Sequence, residues 1–424
     1  MTFMIAQNTR RSKKWRTQGV SAPMFALFQS ARKSLRTFRL PILAPIFAFG
    51  LAACDPAALA GLGGQGINGP KIDPNAPVTV ALLVPRGSGS ATDDLLAQSL
   101  ENATRLAIRD LDGVKIDLRV YGTAGNAQTA ATQASQAVSD GAKIILGPVY
   151  AEAANAAAVA VAGKNVNIMS FSNNPTIAGG NVFVLGQTFQ NTANRMVSYA
   201  KSQGKDRIVV AHAQDIAGQL GANAVKAAIA ANGATLAGSV DYPLSQQGVV
   251  SAISKIKAAV DNGGANAVFM TSPSASALPL LTQLLPEAGV KPDVTQFIGL
   301  TRWDIPAQTL DLPGVQGGWF ALPDPASTGA FRSQYNAAYG KNPHPISSLA
   351  FDGMAAIGAL VKSGEPNALS TAAIIQGAGF KGANGVFRFL SDGTSQRGLA
   401  IATIRDKKVV VIENAPTGFS GAGF

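Results

Sequence analysis

Few side chains in this sequence are equipped for covalent chemistry, and those that are stand apart. Its 424 residues include two histidines, His212 and His344, and one cysteine, Cys54. A hydrolase needs a nucleophile with a base in reach, and no G-x-S-x-G turn accompanies either histidine. His212 sits at the end of an apolar run, Ile208 to Ala211, and His344 lies between Pro343 and Pro345. One cysteine excludes an intramolecular disulfide and any zinc site built on several thiolates. No paired carboxylates or metal-ligand spacings stand out, so no catalysis, metal or cofactor is expected. The run Gly61-Leu62-Gly63-Gly64-Gln65-Gly66 matches a dinucleotide fingerprint in letters alone, because it lacks the strand before it and the helix after it that such a loop requires.

Charge excludes another class. The net charge of +11 suggests an acidic partner until it is located. Nine of the 35 basic side chains and none of the 24 acidic ones lie in residues 1–53. The remainder is nearly neutral, which leaves no general argument for nucleic-acid binding. Within the basic segment, Arg32, Lys33, Arg36 and Arg39 precede an apolar run from Leu40 to Phe49 and then Gly50-Leu51-Ala52-Ala53-Cys54. That order is a signal peptide, and the apolar run is too short to span a bilayer, which takes about 20 residues. Leu51-Ala52-Ala53-Cys54 resembles the lipobox of bacterial lipoproteins. The resemblance implies cleavage after Ala53, acylation of Cys54, and residence on the periplasmic face of the inner or outer membrane. Residues 54–76 are rich in Gly, Pro, Ala and Asn and read as a tether.

From Pro77 onward strands alternate with helices. Val78, Val80, Leu82, Leu83 and Val84 form a continuous apolar run, as in a parallel strand buried on both faces. A loop Arg86–Ser90 follows, then Leu96, Leu100, Ala103, Leu106 and Ala107 at helical spacing. The pattern continues with strands near 114–121, 142–146 and 166–170, separated by Ala-rich helices. A second series begins near Thr192, its strands at 208–211, 236–240, 267–270 and 297–300. Two such series predict two α/β lobes with parallel sheets joined by right-handed crossovers.

The run from Gly141 to Val149 (GAKIILGPV) and the later run from Ile168 to Pro175 (IMSFSNNP) resemble the opening of type I periplasmic binding proteins of the leucine-binding class. Phe380, Gly382, Gly385, Phe387, Phe389 and Asp392-Gly393 resemble the closing hairpin of that class. The resemblance implies three hinge crossovers, with lobe one from residues 77–187 and 324–380, lobe two from 188–323 and 381–413, and a loose tail at 414–424. Ligands of open parallel sheets sit beyond the carboxyl ends of the strands. The loops in that place carry Ser88, Gly147, Tyr150, Ser170, Ser172, Asn173 and Asp352 in lobe one, and Asp215, Ser272, Arg302 and Trp303 in lobe two. Ser170, Ser172 and Asn173 match the part of the class that hydrogen-bonds an amino acid, Tyr150 is placed to wall the cleft, and Arg302 beside Trp303 suggests a guanidinium and an indole that stack and pair with a carboxylate. Ser, Asn and Gly at strand ends also serve as helix caps and turn formers.

Two departures bear on function. Asp215-Ile216-Ala217-Gly218 lacks the aromatic residue of the D-x-Y-G pattern, and Thr301-Arg302-Trp303 stands where amino-acid binders often place an acidic group. Ser170–Asn173, Val182–Gly186 and Arg195 also resemble the binding-protein-like domain of lipoproteins that activate peptidoglycan synthases, the penicillin-binding protein activators. The expectation is therefore a non-catalytic envelope lipoprotein that touches a peptidoglycan synthase. The alternative is a lipoprotein that delivers an amino acid or similar small polar ligand to an ABC permease.

Overall fold

The computed structural model describes residues 69–73 and 75–419. The signal segment, Cys54 and most of the tether lie outside the described residues. Lobe one is built on a parallel sheet of β1 (Val78–Val84), β2 (Ile116–Gly122), β3 (Ile144–Leu146), β4 (Asn167–Ser170) and β5 (Val182–Val184), in the order β2-β1-β3-β4-β5. Alternation along β1 explains why both its faces are covered. Val78, Val80, Leu82 and Val84 join one core with helix α1 (Ala91–Arg109), while Ala81 and Leu83 join another with α2 (Ala127–Ser139) and α3 (Ala151–Val161). The second core is lined largely by alanines, including Ala130, Ala134, Ala153 and Ala157, whose small side chains let α2 and α3 lie close to the sheet.

Lobe two repeats the order. Its helices are α4 (Phe189–Ser202), α5 (Ile216–Ala231), α6 (Gln246–Gly263) and α7 (Leu278–Glu287). Its strands are β6 (Arg207–Ala213), β7 (Thr235–Tyr242), β8 (Ala267–Met270), β9 (Gln296–Gly299) and β10 (Trp319–Pro323). The chain then returns to lobe one, where α8 (Pro325–Tyr339) contributes Phe331 and Tyr335 to the core and α9 (Ser348–Lys362) contributes Ala350, Met354 and Ile357. A short α10 (Thr371–Ile374) leads into a three-stranded sheet of β11 (Phe380–Gly382), β12 (Gly385–Phe389) and β13 (Ser395–Arg397). Finally β14 (Leu399–Arg405) and β15 (Lys408–Glu413) add an antiparallel edge, giving the lobe-two order β15-β14-β10-β9-β8-β6-β7.

Three boundaries differ from expectation. Phe380, Phe387 and Phe389 pack together in the lobe-one core, and Val184 N–H donates to Gly393 O at 2.8 Å, so the chain crosses for the third time after Arg397 and not after residue 380. The end of the tether is anchored: Ile72 is buried in the lobe-one core and its N–H donates to Pro366 O at 3.0 Å. The described part of the tail is held as well, with the Arg388 guanidinium 4.6 Å from the Phe419 ring centroid. Among the described residues no helix is long and apolar enough to cross a membrane.

Candidate functional site

A cavity of about 510 Å³ opens at the carboxyl ends of β3 and β4, against the hinge segments. Val149, Tyr150 and Ala151 line it at the start of α3, and Ser348 and Leu349 at the start of α9. Neither helix has a side-chain hydrogen bond at its N-cap, and nor does α7, whereas Ser90, Asn126, Thr188, Asp215, Ser245 and Asp324 cap α1, α2, α4, α5, α6 and α8 with their own oxygens. The α3 start thus brings first-turn N–H groups and a positive dipole end to the cavity, whereas at the α9 start Leu349 N–H and Ala350 N–H already donate to Ile346 O and Ser347 O.

Ser172 and Asn173 line the same cavity, together with Phe171, Asn174 and Gln187. Ser172 Oγ accepts from Asn174 N at 3.1 Å, which leaves its proton to donate. Tyr150 closes one side, its hydroxyl donating to Asp93 Oδ1 at 2.5 Å. That bond, with burial, raises its pKa, so the phenol stays protonated.

Other expected residues have different work. Ser170 is fully buried and outside the lining: its hydroxyl donates to Pro148 O at 2.9 Å and accepts from Ser172 N at 3.1 Å, so it shapes the loop that presents Ser172. Gly147 has φ +89°, and a Cβ there would collide with the Leu83 carbonyl oxygen, so it serves the close approach of β3 to β1. Ser88 Oγ accepts from Ser90 N at 3.1 Å within its own loop and does not line the cavity. Asp352 is wholly buried and paired with Arg397 at 2.6 Å, so it does not face a ligand. Arg397 does line the cavity, donating also to Leu185 O at 2.7 Å and lying 4.9 Å over the Phe387 ring. Asn384 reaches the same carboxylate at 3.0 Å. Sequence reasoning missed Arg397 and Asn384. Their signal was faint, since each lies in the closing hairpin far along the chain from Ser172.

In lobe two, Asp215 and Ser272 line a separate cavity of about 270 Å³ with Phe189, Ala217, Thr271 and Thr301. Asp215 Oδ1 accepts from Gly218 N at 2.7 Å, and Ser272 Oγ lies 2.7 Å from the Tyr242 hydroxyl. Burial raises the Tyr242 pKa, against the Ser272 bond. The expected Arg302–Trp303 platform does not form. Arg302 turns to its neighbour Asp304, with Nε donating at 2.8 Å, whereas Trp303 is fully buried against Phe320, where Gly299 and Gly318 leave room for the indole. Consecutive side chains thus leave the backbone in opposite directions, one to solvent and one to the core. Among the described residues no cluster of three or more His, Cys, Asp or Glu could hold a metal ion.

Comparison with known proteins agrees with this geometry. No curated protein sequence matches the chain. A Rhodospirillum rubrum protein named for branched-chain amino acid ABC transport superposes with a TM-score of 0.68 at 17% identity, covering 80% of this chain and 100% of its own. A branched-chain amino acid ABC transporter periplasmic ligand-binding protein from Burkholderia xenovorans gives 0.61 at 20% identity, over 81% and 97%. A solute-binding protein of an ABC transporter from Rhodopseudomonas palustris, solved with 3,4-dihydroxybenzoic acid, gives 0.55 at 18% identity, over 82% and 98%. These likenesses establish the fold. None of these three is described as an activator of peptidoglycan synthesis. The periplasmic binding protein family profile matches residues 77–408, and the chain belongs to that family, with the type I, leucine-binding-protein-like fold.

Proposed function

We propose that this protein is the non-catalytic substrate-binding component of an ABC-type importer, anchored by lipid at Cys54, and that it takes a small organic acid into the hinge cleft. The observation that carries the reading is the convergence of the α3 and α9 starts, neither with a side-chain cap, on one cavity beside Ser172. Such a cradle suits a carboxylate, because the uncapped first turn of α3 and the free proton of Ser172 Oγ lie at one cavity. Arg397 adds no net charge to the cavity, since it is paired with the buried Asp352. Phe171, Ile346 and Leu349 offer an apolar wall for the body of such a ligand. A structural neighbour from Desulfitobacterium hafniense was solved with leucine and the Rhodopseudomonas palustris neighbour with an aromatic acid. Both ligands carry a carboxylate.

The test is titration calorimetry of the mature protein with amino acids and aromatic and aliphatic carboxylic acids. Binding at micromolar strength or better, about 8 kcal/mol, supports the reading. No heat from any acid, with a peptidoglycan synthase recovered instead of a permease on capture from membranes, would overturn it.

A further inference from the structure

We infer that residues 414–419 form a strap across the back of the hinge, tied into both lobes, which holds the empty protein open and must yield before the lobes close. The strap acts in the absence of ligand, so its test is separate from that of the transport reading.

The strap is rooted in lobe two. Glu413, the last residue of β15, is held by Arg195 of α4, whose Nη2 donates to Glu413 Oε1 at 2.7 Å and whose Nε donates to Leu399 O at 2.9 Å. Arg195 is buried, so the core around it fixes this root. Two residues on, Ala415 packs against the lobe-two core. The chain then passes the hinge, where a Cβ on Gly398 would lie 3.0 Å from Pro416 O. It reaches lobe one at Phe419, whose ring centroid is 4.6 Å from the Arg388 guanidinium and whose Cε2 would be only 2.6 Å from a Cβ on Gly379. Arg388 lies on β12 between Phe387 and Phe389, which belong to the lobe-one core. Residues 414–419 thus join the lobes by contact, in addition to the three chain crossings.

The side of the hinge on which the strap runs sets the direction of its effect. Arg397 and Leu399 line the lobe-one cavity, and side chains alternate between faces along an extended chain. Gly398, between them, therefore presents the opposite face to Pro416. Closing the cleft brings together the parts of the lobes in front of the hinge and separates those behind it. A strap fixed to both lobes behind the hinge resists that motion, and closure must stretch it or lift Phe419 from Gly379 and Arg388. The contact of ring and guanidinium is weak beside a packed core, so it biases the hinge without locking it.

The experiment measures the opening of the cleft in the ligand-free mature chain. Leu95, near the start of α1, and Ile216, at the start of α5, are 67% and 79% exposed and stand on the two rims. Spin labels at Leu95→Cys and Ile216→Cys, in a chain carrying Cys54→Ser so that no other cysteine remains, report the distance between the rims by double electron–electron resonance. Truncation after Asn414 and Phe419→Ala should each move the distribution to shorter distances, raising the closed fraction about two- to fivefold. An unchanged distribution in either variant, or a shift of either to longer distances, would overturn the inference, whatever the change in melting temperature. Either result leaves the question of the ligand to calorimetry.

Discussion

Arg397 is the side chain on which most of the site's order depends. Its guanidinium joins Asp352 at 2.6 Å and Leu185 O at 2.7 Å in lobe one, while its backbone N–H donates to Asn191 Oδ1 of lobe two at 2.7 Å. Both charges of the pair are buried, and removing one partner of such a pair costs about 3–5 kcal/mol because the other stays desolvated. Asp352→Ala should lower the urea unfolding midpoint by an amount corresponding to that loss, even though Asp352 touches no ligand; a change under about 1 kcal/mol would contradict the buried pair. Ser172 makes the contrasting case. Ser172→Ala should leave stability within about 1 kcal/mol and weaken ligand binding roughly 10- to 100-fold, the range for a hydrogen bond to a charged group, as read by calorimetry. His344 gives the fold a pH dependence. Burial lowers its pKa, so the unfolded chain binds the proton more readily than the folded one. Its contribution is complete above the unfolded pKa of about 6.5 and is lost as pH falls from there through the folded value. His344→Gln should therefore flatten the loss of stability on acidification below about pH 6.5, a trend that denaturation at stepped pH can show or refute.

The elements of the first half announce themselves because each strand is a short apolar run and each helix repeats at three or four residues. From Val78 to Gly299 that logic locates strands and helices to within a few residues, except for the three-residue β5, too short to stand out as a strand. Beyond Leu300 it fades for identifiable reasons. In α8 only Phe331 and Tyr335 are buried, so no apolar stripe marks the helix. The β14–β15 turn places Asp406 and Lys407 at φ 49° and 60° without a glycine, so the usual hairpin signal is missing. The lobe-one loop Ser170–Asn174 is legible from its resemblance, yet which of its hydroxyls faces the cavity depends on a turn closed by Ser170. Arg397 and Asn384 reach the site only because the closing hairpin returns to lobe one, a long-range fact that local spacing does not encode. The strand-to-helix turn after β3 offers a test at this scale. Gly147→Ala would force a side chain into the positive-φ region, worth about 1–3 kcal/mol of strain, and against the Leu83 carbonyl as well. Its thermal midpoint should fall accordingly, and an unchanged midpoint would mean that the β3–β1 approach can relax.

At the scale of the whole molecule, the proposed lipid anchor and the hinges between the lobes each carry a prediction. Anchoring through Cys54 predicts that labelled palmitate enters the protein in cells and that Cys54→Ser abolishes the label; equal labelling of the variant would end the lipoprotein reading. Between the lobes, the chain crosses near Gly186–Gln187, at Pro323–Asp324 and at Arg397–Gly398, and all three crossings lie beside the lobe-one cavity. Residues from Asp215, Thr271 and Thr301 form a second cavity and do not line the first, so the two halves of the cleft stand apart in this structure. A ligand held by both halves must draw them together, and hinges of a few residues absorb such a motion more readily than packed cores. Saturating ligand at about 100 times its dissociation constant should stabilise the protein by about 2.7 kcal/mol. For a chain of this size that corresponds to a rise of roughly 3–4 °C in melting temperature. Small-angle scattering on the same samples should show the radius of gyration contract. Stabilisation without contraction would mean that the ligand is held by lobe one alone.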